Sequence, residues 1–190
     1  MPSGRIHNLI NTLTLVGLGG VAGYVHQQNI LRMEPGAVVA FAGAFLAGTY
    51  LLSPDLDLAE QNVSSKTNWG WLGFLWVPYG WVFSHRGLSH TWLVGPLTRL
   101  FYLALLLALP VFLLRDPILY VQLKEISRGP IYDLLQSFKR FWLHPAVALN
   151  TLTALGLGYY VSQWLHLIAD GVAPDMNVGF SRKRFYPRRR

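Results

Sequence analysis

The sequence predicts an all-α protein, a polytopic helical membrane protein with about four transmembrane helices and interfacial segments. Three observations carry this. Of the 190 residues 52% are apolar and 13% charged, with mean hydropathy +0.32, which excludes a disordered chain. Four windows with one charge or none come near the roughly 20 apolar residues that a bilayer crossing takes. Small residues recur inside those windows, where a soluble bundle would carry polar stripes.

The first window, residues 6–31, has no Lys, Arg, Asp or Glu, and 9–25 is its apolar part. Only one Arg precedes it and no Ala-x-Ala site ends it, so it reads as a retained helix rather than a cleaved signal peptide. The second, 35–54, is rich in Ala, Gly, Val and Phe. Pro54 disfavours helix at Ser53, so this span is expected to stop there, with Asp55 and Asp57 in a turn at its mouth. Residues 69–83 gather Trp69, Trp71, Trp76, Tyr79 and Trp81 around Pro78, which suits the headgroup boundary better than a crossing.

Gly87 permits a turn, and Ser89 reads as the N-cap of a helix opening at His90. The third window, 92–114, contains Arg99, which is expected to snorkel or to pair inside the bundle. Over 131–142 apolar residues recur at helical spacing opposite Lys139 and Arg140, predicting a helix lying on a membrane surface. The fourth window lies within 141–169 and is uncharged. Gly17, Gly19, Gly20, Gly23, Gly43, Gly48, Gly156 and Gly158 are expected to let helix backbones approach closely. Residues 1–180 then form one domain and 181–190 a basic tail.

The absence of cysteine excludes disulfides, thiolate metal sites and cysteine nucleophiles. Net charge is +7, yet six of the sixteen basic residues fall in 182–190. Beside a bilayer such a tail is expected to contact anionic lipid or to recruit a protein partner, in preference to nucleic acid. With the amino terminus inside, nine basic residues lie on the cytoplasmic side and six on the other. Both termini are therefore expected in the cytoplasm.

Ionisable residues are expensive near lipid, so their placement is informative. His7 precedes the first span, Asp55 and Asp57 follow the second, His85 and His90 precede the third, and His166 and Asp170 close the fourth. In an up-down-up-down arrangement all seven emerge at one membrane face. His26, Glu34, Asp116 and His144 on the other face make no comparable set. His166 and Asp170, four apart on a helix, can offer an imidazole and a carboxylate to one ion. Singly each motif has a bland reading: a capped pair, a polar helix stop, an interfacial cation at Arg86. Jointly they point to a divalent metal, Zn2+, Mn2+ or Fe2+, as one ion or two.

Met1 aside, the motifs Pro2-Ser3-Gly4-Arg5 with His7, Pro54-Asp55-Leu56-Asp57, His85-Arg86-Gly87-Leu88-Ser89-His90 and Leu165-His166-Leu167-Ile168-Ala169-Asp170 resemble, in order and interval, metal-binding membrane proteins found widely in cyanobacteria. The same set is similar to the membrane-bound metal-dependent hydrolases. More distantly, the order His, Asp, His, His-x-x-x-Asp resembles the zinc-dependent phospholipases C and the single-strand-specific zinc nucleases. That resemblance implies His7, Asp55, His90, His166 and Asp170 as metal ligands, with Asp170 as a bridge. It offers no counterpart for Asp57, His85 or Arg86, whose expected roles come from proximity: Arg86 near a phosphate, Asp57 or His85 as proton acceptor.

The expected function is hydrolysis of a phosphoester, a phospholipid or its head group, by an integral protein of a bacterial plasma or thylakoid membrane. The alternative is a non-catalytic metal-binding scaffold whose ions pin helix ends and whose tail recruits a partner.

Overall fold

The computed structural model describes residues 4–58, 63–83, 87–113 and 145–172. Expectations for His85, Arg86, the segment 131–142 and the basic tail lie outside the described residues. Every element among the described residues is a helix. α1 spans Gly4–Gln27 and α2 spans Pro35–Tyr50. Pro35 opens α2 after an extended Glu34, where a missing N–H and a fixed φ suit the first turn. Ser53 is extended (φ −67°, ψ 157°), as Pro54 demands, and Pro54–Asp57 makes a single 3-10 turn.

Two short helices follow, α3 (Ser64–Asn68) and α4 (Val77–Val82), joined by a 3-10 segment Gly70–Trp76. None is long enough to cross a bilayer. This aromatic segment is only half a surface element. Trp71, Phe74 and Trp81 are exposed, but Trp76 and Tyr79 are fully buried and join Leu52, Leu56 and Tyr159 in the apolar core. After a 3-10 turn at Leu88–His90, α5 runs Val94–Leu113 and α6 runs Pro145–Ala169.

The helix expected to open at His90 opens instead at Val94. Thr91, not Ser89, accepts from a first-turn N–H, that of Gly95, at 2.9 Å. The Ser89 hydroxyl is committed elsewhere, to Asp57.

α2 and α6 form the principal helix pair. Their approach depends on two glycines: a Cβ at Gly158 would collide with the Phe41 carbonyl oxygen, and one at Gly48 with Ser162 and Gln163. Gly17, Gly19, Gly20, Gly23, Gly43 and Gly156 face open space, so close approach explains two of the eight glycines expected to provide it.

Among the described residues two helical stretches, Gly4–Gln27 and Pro35–Asp57, are long and apolar enough to cross a membrane, and α5 is apolar over Val94–Ala108. α6 is long enough, but Thr151, Ser162, Gln163 and His166 dilute its apolar character. The predicted all-α class holds, and among the described residues two of the four expected spans are long and apolar enough to cross.

Among the described residues, fifteen polar or charged side chains are buried against seven hydrophobic ones, so the interior is held by hydrogen bonds. Asn11 Nδ2 donates to Thr49 Oγ1 and to the Ser162 carbonyl, both at 3.0 Å, tying α1 to α2 and α6. Gln163 Nε2 donates to the Gly48 carbonyl at 2.9 Å, while its Oε1 accepts from Arg99 Nη2 of α5 at 2.9 Å. Arg99 thus pairs inside the bundle rather than snorkelling.

Candidate metal centre

Three chain segments deliver the donors. His7 sits in the first turn of α1, Asp55 in the 3-10 turn after α2, and His166 and Asp170 at the end of α6. Local sequence explains why Asp170 holds still. Gly171 adopts φ +69°, which an L side chain resists, and closes α6 with two bonds: Gly171 N–H to Ile168 O and Val172 N–H to Leu167 O, both 2.9 Å. Asp170 is then held at the cap of α6, one residue beyond Ala169. Leu56, fully buried, anchors the 3-10 turn and leaves Asp55 and Asp57 on either side of it.

His7 Nε2 lies 3.2 Å from Asp170 Oδ1, and His166 Nε2 lies 3.6 Å from both Asp170 Oδ2 and Asp55 Oδ1. The His7 and His166 rings stack with centroids 4.0 Å apart, and donor atoms of His7, His166 and Asp170 all fall within 4.8 Å of one another. Burial pushes the Asp170 carboxyl up, but the bond from His7 and the nearby imidazoles of His166, His7 and His90 outweigh it and hold the carboxyl below its ordinary value.

The cluster fits a divalent cation. His7 Nδ1 and His166 Nε2 are buried without a hydrogen-bond partner, which interiors rarely tolerate. The 3.6 Å separations are too long for hydrogen bonds. Two donors at about 2.0–2.1 Å from one tetrahedral ion stand about 3.3–3.4 Å apart, close to what is found. Imidazole and carboxylate without thiolate suits zinc, manganese or iron.

The structure therefore brings His7, Asp55, His166 and Asp170 together. His90 sits against Asp57, with Nδ1 3.0 Å from Asp57 Oδ2. Ser89 donates to that same oxygen, so Asp57, expected as a proton acceptor, is held between a hydroxyl and an imidazole. His85 and Arg86 lie outside the described residues.

Sequence reasoning passed over Ser89 as a hydrogen-bond donor, and over Asn11 and Gln163 altogether. Their signal was present, since an Asn or Gln in an uncharged helical run needs a partner. Lys66 was counted only as a surface charge. It is buried, and its Nζ donates to the Leu58 carbonyl just beyond the aspartate turn.

A helical bundle with a buried His/Asp donor cluster at one end defines a class of metalloprotein, and comparison with known families agrees. The chain belongs to the family described as uncharacterized metal-binding protein (DUF2227), whose model matches residues 2–179. An uncharacterized protein of Aquifex aeolicus (strain VF5) is 48% identical over 66 residues, covering 34% of this chain. The match covers 45% of that relative, so the chain spans less than half the length of the curated relative it matches. No solved structure matches the chain.

Proposed function

We propose that the protein is an integral membrane metalloenzyme that hydrolyses phosphoesters at the lipid boundary. The membrane part is supported by an inverted pattern of exposure. α1 buries His7 and Asn11 while Leu9, Leu13, Val16, Val21 and Tyr24 are exposed. Water would penalise that surface, whereas lipid covers it and rewards interhelical hydrogen bonds. The distribution of basic residues supports a cytoplasmic position for both termini, with anionic lipid as the proposed partner of the tail.

The single observation that carries the catalytic part is the buried His7–His166–Asp170 cluster with its two orphaned ring nitrogens. His7, His166, Asp170 and Asp55 would hold the ion, with His90 as a further ligand. A bound divalent ion supplies Lewis acidity and a water acidified toward neutrality. The chain's own residues do the rest. Asp55, 19% exposed at the side chain where His7 and Asp170 are nearly closed, is the carboxylate that entering water meets first. Its carboxylate orients that water, while Asp170, capped at the end of α6, keeps both imidazoles in register, and the proton acceptor is assigned to His85 on its sequence position. Arg86 is assigned to the phosphate on its sequence position.

The burial of His7 and His166 favours a second reading, a closed structural site that pins the ends of α1 and α6. Elemental analysis of detergent-solubilised protein, with hydrolysis of bis-p-nitrophenyl phosphate measured on the same sample, separates the two. Stoichiometric metal with metal-dependent turnover is expected. Metal without turnover selects the structural reading, and absence of metal at every loading condition ends both.

A further inference from the structure

The residues around Asp57 form a chain with a direction. Asp57 Oδ2 faces His90 Nδ1 at 3.0 Å and accepts from the Ser89 hydroxyl. The Ser89 carbonyl accepts from Arg99 Nη1 at 2.9 Å, and Arg99 Nη2 donates to Gln163 Oε1 at 2.9 Å. Gln163 precedes His166 by three residues on α6. The chain thus starts at an imidazole and ends on the helix that carries two residues of the metal cluster. None of its five members is more than 2% exposed.

A carboxylate facing Nδ1 decides where the ring carries its hydrogen. The Nδ1–H donates to the carboxylate and Nε2 retains the lone pair. Carboxylate–histidine–metal arrangements use this device to fix both ring orientation and tautomer. Proximity to the cluster is consistent, because the His90 ring is among the groups that hold the Asp170 carboxyl down.

We infer that Asp57 is a positioning residue: it holds His90 as the Nδ1–H tautomer, so that the Nε2 lone pair is presented as donor, and Ser89 and Arg99 hold the carboxylate and its turn in place. The assignment rests on the metal-centre reading for its purpose, but the tautomer itself does not depend on that reading. It gives Asp57 a different task from the proton acceptor expected of its position in the sequence.

The test is long-range 1H–15N correlation on 15N-histidine-labelled full-length protein in detergent near neutral pH, with His90 assigned through His90→Gln. Nδ1 protonated and Nε2 unprotonated is the expected result. A His90 ring protonated on both nitrogens, or on Nε2 alone, overturns the inference without need of any variant. In Asp57→Ala the tautomer preference should disappear and Zn2+ affinity should fall by about 10- to 100-fold. Asp57→Glu should restore part of the preference, which a loss of packing alone would not show. If Zn2+ moves no histidine signal while His90 remains the Nδ1–H tautomer, the positioning role stands and the metal-centre reading is what has failed.

Discussion

The His166 imidazole stands 3.6 Å from the Asp55 carboxylate, beyond hydrogen-bond reach. Hydrogen-bonded partners close to about 3 Å or less. Donors that share an ion stop short of each other, because each contacts the ion instead. Removing one donor should therefore empty the centre rather than loosen a surface pair. His166→Ala and Asp170→Ala are expected to lose bound metal in elemental analysis while retaining helical circular dichroism, and Asp55→Ala to keep a weakened fraction. Full metal content in both of the first two variants would sink the assignment.

Metal affinity should depend on pH with a definite sign. Imidazole binds a metal only when neutral, and a free imidazole protonates at about pH 6.5, so acid competes with the ion. Asp170 stays ionised through that range because its carboxyl is held below its ordinary value. Zn2+ affinity is expected to fall by at least about tenfold per pH unit below about 6, with protons released on binding. Calorimetric titration in two buffers of different ionisation enthalpy measures the release. For stability the sign is that of a depressed carboxyl: the Asp170 contribution is present above its unfolded value and is lost as pH falls through the folded one.

The polar spine makes unequal demands on its members. Gln163→Ala removes the acceptor of Arg99 Nη2 and leaves a fully buried cation short of a partner, whereas Asn11→Ala removes a neutral donor from Thr49 and the Ser162 carbonyl. Hydrogen bonds to charged groups are worth about 1.5–3 kcal/mol and neutral ones about 1 kcal/mol. Gln163→Ala should therefore lower the thermal midpoint in detergent more than Asn11→Ala does. The reverse order would show that Arg99 finds other partners.

Gly158 and Gly156 lie on the same helix two residues apart and should respond oppositely to alanine. At Gly158 a Cβ meets the Phe41 backbone carbonyl, which cannot turn aside, and α2 must move away from α6. At Gly156 it meets nothing, and helix propensity alone favours Ala over Gly by about 0.8–1 kcal/mol. Thermal unfolding of the two variants is expected to bracket the parent protein.

Much of this was legible in the sequence, for reasons that differ by element. The break between α2 and the aspartate turn followed from one local rule, the steric effect of Pro54 on Ser53, although the α-helix itself already ends at Tyr50. The convergence of His7, Asp55, His166 and Asp170 followed from counting crossings, because alternation of direction returns those four positions to one end. The pairing of His90 with Asp57 was not legible. Spacing cannot say which of two aspartates two residues apart faces a given ring, and in a helical turn residues two apart diverge, which sends Asp55 and Asp57 to different neighbours. The aromatic segment was half misread for a similar reason: composition marks Trp and Tyr as interfacial, but tight turns put Trp76 and Tyr79 on the inner side.

Lipid and water make opposite demands on α1, and one substitution distinguishes them. Val16 lies mid-helix at 69% exposure, with neighbours Leu13 and Leu9 also exposed. In a soluble protein Val16→Arg would be neutral or would improve solubility, since the side chain enters water. At the centre of a membrane helix the same change costs about 2.5–3.5 kcal/mol for the arginine and forfeits the insertion energy of valine. The parent protein is expected to remain in the membrane pellet after alkaline carbonate extraction, and Val16→Arg to move in part to the supernatant or to be degraded. Asn11→Arg is unsuitable as the probe, because that position is buried against α2 and α6 and would fail in either setting. A Val16→Arg protein that fractionates and melts like the parent would remove α1 from the bilayer, and with it the reason for an interior built from hydrogen bonds.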